Sequence, residues 1–269
     1  MVYRHEIVCE SLKLPELARN SGMTTDFDSL VQEAERQPFS GWDFSYLAGR
    51  YVETKPSWDY FAIVREKMKG VKSMLDLGTG GGERLLSLQP FPAETYATEG
   101  YPPNLQIARK RLEPLGVRVI EADAEGDLPF DDGFFDLIID RHTGYNAREV
   151  SRTLKHGGLF VTQQVVWPND KEIREFFLGE QQGHSDFETN LSDLKRAGLQ
   201  IIRAREESHQ SAFYDVGALV YYLKAIPWEV PGFSVEKHEP QLRAIHDLIR
   251  QNGKFEVTTS RCMIEAEKK

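Results

Sequence analysis

The densest chemistry in the chain lies in Asp76-Leu77-Gly78-Thr79-Gly80-Gly81-Gly82. An apolar lead, Met74-Leu75, runs into the acid, and glycines then recur at every second position from Gly78. Glycine lets a backbone turn through left-handed conformations and lets a ligand approach closely. A carboxylate beneath such a turn narrows the choice of ligand. A dinucleotide site wants G-x-G-x-x-G, which seats a pyrophosphate on the next helix N-terminus. Gly78 and Gly80 fit that spacing, but the third position is Glu83, whose charge would repel a pyrophosphate. A ligand with positive charge and no phosphate suits the acidic strand tip better. The bland alternative is a glycine-rich turn that binds nothing.

Acids recur where further strands should end. Residues 93–98 read as a second strand that runs into Glu99. An acid about 20 residues beyond a glycine loop is what ribose hydroxyls require. Residues 117–122 read as a third strand, ending in Asp123-Ala124. Then comes Leu128-Pro129-Phe130, followed by Phe135-Asp136 and a fourth apolar strand to Ile139. Any one acid could be a solvated loop residue; three at successive strand ends point to a site.

The D-x-G-x-G-x-G run and the "LPF…FD" run together resemble class I S-adenosylmethionine-dependent methyltransferases of the small-molecule, methyltransferase-11-like type. The resemblance covers residues 71–166. It implies an α/β, doubly wound, Rossmann-like sheet of seven strands with the last one antiparallel. It implies S-adenosylmethionine as cofactor, held by Asp76, Gly78, Thr79, Gly80, Gly82, Glu99, Gly100, Asp123, Ala124, Asp140 and Arg141. In that reading Glu99 accepts from both ribose hydroxyls. Asp123 meets the adenine amino group, with the next backbone N–H on a ring nitrogen.

Methyl transfer mainly needs alignment of nucleophile, carbon and sulfur. The acceptor is expected beyond the carboxyl ends of strands four and five, where open α/β sheets bind ligands. His142 is the candidate base, because its ordinary pKa lies near 6.5; a structural histidine is the alternative. Arg141 could pair with a substrate carboxylate or with an internal acid. Tyr145 could line the methyl channel or simply pack. Gln163 and Gln164 point to opposite faces of a strand, so at most one faces the ligand; Gln164 is the candidate. Tyr51 and Trp58, from the aromatic N-terminal region, complete the acceptor-side set. Tyr101-Pro102-Pro103-Asn104 resembles in reverse the Asn-Pro-Pro-Tyr of amino-directed nucleic-acid methyltransferases, but it follows the wrong strand and reads as a turn that launches a helix.

The elements that must position these residues fall into three parts. Residues 1–70 read as a helical N-terminal extension: an amphipathic helix at 26–36, the aromatic connector 39–51, and a helix capped by Ser57 that runs to Gly70. Residues 71–269 form the methyltransferase domain, with a cofactor half at 71–166 and a substrate half at 167–269. Asn146 opens a helix that closes near Gly157, and 159–166 is the fifth strand. A sixth strand spans 199–204 and a seventh 258–266, with a helical insert at about 205–255.

The chain has 269 residues and a net charge of −9. A nucleic-acid binder needs basic clusters, and the one basic run, Arg109-Lys110-Arg111 with Arg118, reads as a helix face. No apolar run reaches the ~18 residues that span a membrane. The two cysteines, Cys9 and Cys262, suggest neither disulfides nor zinc. His5, His156, His184, His209, His238 and His246 show no ligand spacing, so no metal is expected. The expectation is a cytoplasmic enzyme, monomer or homodimer, acting on a small molecule without nucleic acid or membrane. An RNA base methyltransferase and a non-catalytic S-adenosylmethionine-binding regulator are the alternatives.

Overall fold

The computed structural model describes residues 26–39, 44–179 and 185–269. The expectations on residues 1–25, His5, Cys9, the connector residues 40–43 and His184 lie outside the described residues.

Eight strands form one sheet: β1 Tyr51–Val52, β2 Ser73–Leu77, β3 Glu94–Glu99, β4 Arg118–Glu121, β5 Phe135–Arg141, β6 Leu154–Val165, β7 Leu199–Phe213 and β8 Phe255–Lys268. Their order across the sheet is β1-β7-β8-β6-β5-β2-β3-β4. β2, β3, β4, β5 and β6 pair in parallel, while β8 runs antiparallel between β6 and β7. The strand count corrects the expected seven. The addition is β1, which pairs antiparallel with β7 through Tyr51↔Phe213 and Val52↔Ala212. A two-residue strand has no periodicity to read, and only its distant partner creates it.

Nine α-helices are described: α1 Phe27–Arg36, α2 Tyr60–Lys67, α3 Glu83–Leu86, α4 Pro102–Leu112, α5 Ala147–Thr153, α6 Lys171–Leu178, α7 Phe187–Arg196, α8 Val216–Ala225 and α9 Glu239–Asn252. None is long and apolar enough to cross a membrane. Strand side chains alternate between faces. One face buries Met74, Ala97, Leu137, Ile139, Val161 and Met263 against α2 and α4. The other buries Leu75, Leu77, Ile138, Phe160 and Ile264 against α5 and α7.

β7 and β8 do not stop where β6 does. Val165, the last residue of β6, pairs with Arg261, which also faces Glu207 on β7. Beyond that row β8 keeps β7 as its strand partner without β6, from Ser208↔Ser260 to Phe213↔Phe255. This overhang carries a third core, in which Leu30 and Val31 of α1, Ile173 and Phe177 of α6, Leu219 and Leu223 of α8 and Leu242 and Ile245 of α9 are buried together. We call this unit the cap. A strap of chain leads from it back along the sheet. Arg50 grips Asp215 through Nε (2.7 Å) and Nη2 (2.6 Å), Thr54 N donates to Ser211 Oγ at 3.0 Å, and Ser57 N donates to Glu207 Oε2 at 2.8 Å.

Several boundaries differ from expectation. The second N-terminal helix begins at Tyr60 with Asp59 as its cap, accepting from Ala62 N at 3.0 Å. Ser57 is instead committed to Glu207. Asn146 caps α5 as expected, accepting from Arg148 N at 3.1 Å and Glu149 N at 3.4 Å. That helix ends at Thr153, before Gly157, because β6 already starts at Leu154. β7 reaches Phe213, so helices of the insert occupy only the stretch after it. Residues 205–213, expected inside the insert, are strand because β8 offers them a partner edge.

Candidate functional site

Asp76 sits near the end of β2 and the glycine turn follows it. Gly78, Gly80 and Gly82 all take positive φ, at 60°, 62° and 81°. At Gly78 a side chain is excluded twice, since φ lies in the left-handed region and a Cβ would strike the Thr143 side chain. The turn is pinned to β3: Thr79 N donates to Thr98 O at 2.8 Å and Gly78 N to Thr98 Oγ1 at 3.2 Å.

Carboxylates gather around it. Burial pushes the Asp76 carboxyl up to about 7; the Thr79 side chain opposes the rise and Glu99 adds to it. Glu99, at the end of β3, is raised by burial, while the backbone N–H groups of Tyr101, Gly80 and Gly100 pull it down. Tyr101 N donates to Glu99 Oε1 at 2.7 Å. Asp140 is fully buried, and burial raises it well above the ordinary carboxyl range. Its Oδ1 accepts from Gln164 Nε2 at 3.0 Å. Asp123 is exposed beyond β4 and accepts from Glu125 N at 3.0 Å, while Ala124 beside it is buried.

Buried polar atoms without a protein partner cost free energy, so each one asks for a reason. Asn104 Oδ1, Asp140 Oδ2 and Arg141 Nε are all in that state. They belong to the start of α4 beyond β3 and to the end of β5. A polar ligand at this edge would give them partners. Its preferred charge follows from Asp76 and Glu99: a cation stabilises their ionised forms, and a phosphate would not.

The acceptor-side candidates separate. His142 holds a left-handed backbone, φ 63°, while its N–H donates to Gln163 O at 2.9 Å. Its ring belongs to a chain of donors. Trp58 Nε1, which can only donate, reaches Gln163 Oε1 at 2.8 Å. The Gln163 amide must then turn its NH₂ toward His142 Nε2, 2.9 Å away. So Nε2 accepts and the ring proton sits on Nδ1. Burial, then Arg141, Arg261 and Arg84, push the His142 pKa well below its ordinary value. A neutral ring whose basic lone pair is already engaged is a poor general base; the geometry turns that expectation toward a donor at Nδ1.

Gln163 and Gln164 do take opposite faces, and it is Gln163 that meets His142 and Trp58. Gln164 is spent on the other face, where its Nε2 donates to Asp140 Oδ1, Thr143 O and Thr162 Oγ1 at 2.8–3.0 Å. Tyr145 also lies on that far face. Its ring meets Phe160 edge-on at 5.0 Å and its hydroxyl donates to Asn190 Oδ1 at 3.1 Å, which is a packing arrangement. Tyr51 packs in the cap, 4.5 Å from the Phe213 ring. Trp58 alone of the aromatic pair is beside His142.

The sequence reading missed Tyr60, whose buried hydroxyl donates to Asp140 O at 2.9 Å. It also missed Arg205 and Arg261 on β7 and β8. Alternation along β7 would have exposed Arg205, had the strand not been ended at residue 204. Among the described residues no group of three or more His, Cys, Asp or Glu is placed to hold a metal ion.

Residues 75–162 match the family model described as a methyltransferase domain. An uncharacterized methyltransferase, YcgJ of Bacillus subtilis, is 27% identical over 153 residues, covering 53% of this chain and 58% of its own. A demethylmenaquinone methyltransferase of Thermus thermophilus is 41% identical over 107 residues, 35% of this chain and 48% of its own. The chain thus spans about half the length of the curated relatives it matches. A crystal structure from Bacillus halodurans, described as that of a methyltransferase, superposes with a TM-score of 0.59 at 18% identity, covering 78% of this chain and 98% of that one, which shows the shared fold. Residues 75–162 thus carry a methyltransferase domain.

Proposed function

We propose that this domain transfers the methyl group of S-adenosylmethionine to a small-molecule acceptor held between the sheet edge and the strap. One observation carries the reading: the partnerless Asn104 and Asp140 atoms lie at the strand ends that surround a positive-φ glycine turn with two buried acids. When bound, the cofactor supplies an electrophilic methyl carbon. The chain's residues bind and orient. Gly78, Thr79, Gly80 and Gly82 form the cradle; Asp76 and Asp140 favour the positive charge. Glu99, with Gly100, receives ribose hydroxyls, and Asp123 with Ala124 receives the adenine edge. The small-molecule choice is supported by the net charge of −9 and by the strap that crosses the sheet beside His142.

In the same reading His142 works as a positioning group. Its Nδ1–H is free to orient an acceptor oxygen or nitrogen, and Trp58 fixes that tautomer through Gln163. Rate then comes from alignment, which suffices when the acceptor is already nucleophilic. The test is to incubate the purified chain with methyl-labelled cofactor and a metabolite extract. Label in a low-molecular-weight product is expected; label in RNA alone would contradict the reading.

A further inference from the structure

The face of the sheet that carries Gln163 holds two arginines that no carboxylate pairs with among the described residues. Arg141 pairs with Gln163 across β5 and β6, Gln163 with Met263 across β6 and β8, and Met263 with Arg205 across β8 and β7. Ile139, Val161 and Met263 bury their side chains on this face, and alternation puts Arg141, Gln163 and Arg205 on it too. The row spans three strand spacings, about 14 Å between the outer Cα atoms.

The two arginines at its ends form no ion pair among the described residues. Arg141 Nε and Arg205 Nε are buried without hydrogen bonds. Each guanidinium lies over an aromatic ring instead: Arg141 is 5.7 Å from the Phe61 centroid, and Arg205 is 5.5 Å from the Trp58 centroid. Such stacking orients the guanidinium plane and leaves its in-plane N–H groups for an oxyanion. Arg261, one row further along, is a control. Its Nη1 reaches Asn169 Oδ1 at 2.6 Å and its Nη2 reaches Glu53 Oε1 at 2.6 Å, so its charge is already spent. Crowding is visible at Arg141: burial and then Arg84 push its pKa below the ordinary range. A partly buried guanidinium without a counter-charge is costly, and an anion that arrives with the substrate reduces the cost.

We propose that the acceptor carries an anionic group, a carboxylate or a phosphate ester, received by Arg141 and, on the other side of Trp58, by Arg205. The proposal rests on the methyl-transfer reading and names the substrate class of that site. Arg141 then serves two partners by different atoms: its backbone stays at the cofactor turn beside Asp140, and its side chain turns to the acceptor.

Isothermal titration of protein saturated with S-adenosylhomocysteine tests it, using benzoate, benzyl phosphate and benzyl alcohol as probes. One of the two anions should bind about tenfold or more tighter than the alcohol, and which one does separates carboxylate from phosphate. Arg141→Gln should cut that affinity at least tenfold and leave S-adenosylhomocysteine affinity within about twofold; Arg205→Gln should give a smaller cut. Equal binding of alcohol and anions, or binding of neither anion by protein that takes up S-adenosylhomocysteine, would overturn the proposal. So would an Arg141→Gln loss confined to S-adenosylhomocysteine, which would assign the guanidinium to the cofactor's own carboxylate. If S-adenosylhomocysteine itself does not bind, the methyl-transfer premise fails and takes the proposal with it.

Discussion

At the glycine turn the tying contacts span short stretches of chain: Gly78 N meets Thr98 Oγ1, 20 residues away. In the cap they span most of it: Arg50 meets Asp215 across 165 residues, and Thr54 meets Ser211 across 157. The turn depends on backbone conformations that only certain residues adopt. The cap depends on distant side chains meeting. The cofactor edge should therefore fail through single residues, and the cap should loosen as a unit while the edge stays intact.

Substitutions that hit one region and spare the other break or sharpen that contrast. Gly78→Val should have the largest effect. It forces a β-branched residue to φ 60° and into Thr143, and affinity for S-adenosylhomocysteine should fall by about a hundredfold or more in calorimetry. Amide exchange in α8 should stay unchanged; normal binding by this variant would dissolve the distinction. Arg50→Gln is the mirror experiment. Losing a bidentate, half-buried ion pair should destabilise the cap by about 1.5–3 kcal/mol. Faster exchange in α1 and α8 is expected, with S-adenosylhomocysteine affinity intact, and a loss of affinity of similar size would show the two regions to be one.

A subtler division comes from pH. Burial holds the Asp76 carboxyl near 7, above its value of 3.8 in an unfolded chain. The folded protein thus binds the proton more tightly, and Asp76 makes the ligand-free fold less stable as pH rises from about 4 to 7. A cation reverses the preference, because it favours the ionised carboxyl. Affinity for S-adenosylmethionine should rise about tenfold between pH 6 and pH 8, and Asp76→Asn should flatten that rise. A slope of opposite sign would mean that Asp76 does not face the charge. The smallest effect is expected of Trp58→Phe, where strap and edge touch through the Gln163 hydrogen bond. Without the indole donor the Gln163 amide can rotate and the His142 proton can move to Nε2. About 1 kcal/mol or less is at stake, and nitrogen NMR of the His142 ring should report a tautomer mixture where the unaltered protein shows Nδ1–H alone.

The same contrast explains what the sequence disclosed. The strand ends at Asp76 and Glu99 and the turn at Gly78 and Gly80 were legible because they are local events, with acid and glycine both at fixed offsets. The Asn146 cap was legible for that reason too. β1 was not, since Tyr51 and Val52 become a strand only by meeting Ala212 and Phe213. Nor was the reach of β7, where 205–213 alternate polar residues that read as loop until β8 lies beside them. Of the two glutamines, alternation predicted opposite faces, but which one joined His142 hung on Trp58, more than 100 residues earlier in the chain. Ser57 looked like a helix cap by type and position, and Glu207, a partner no local rule could supply, claimed it.

Calorimetry of the purified chain against S-adenosylhomocysteine and NAD, run on the natural protein beside Gly78→Val, bears most directly on the whole picture. One equivalent of S-adenosylhomocysteine should bind the natural protein, with none detectable in the variant and no heat from NAD in either. Saturable NAD binding that Gly78→Val abolishes, or no uptake of S-adenosylhomocysteine at millimolar concentration, would contradict it.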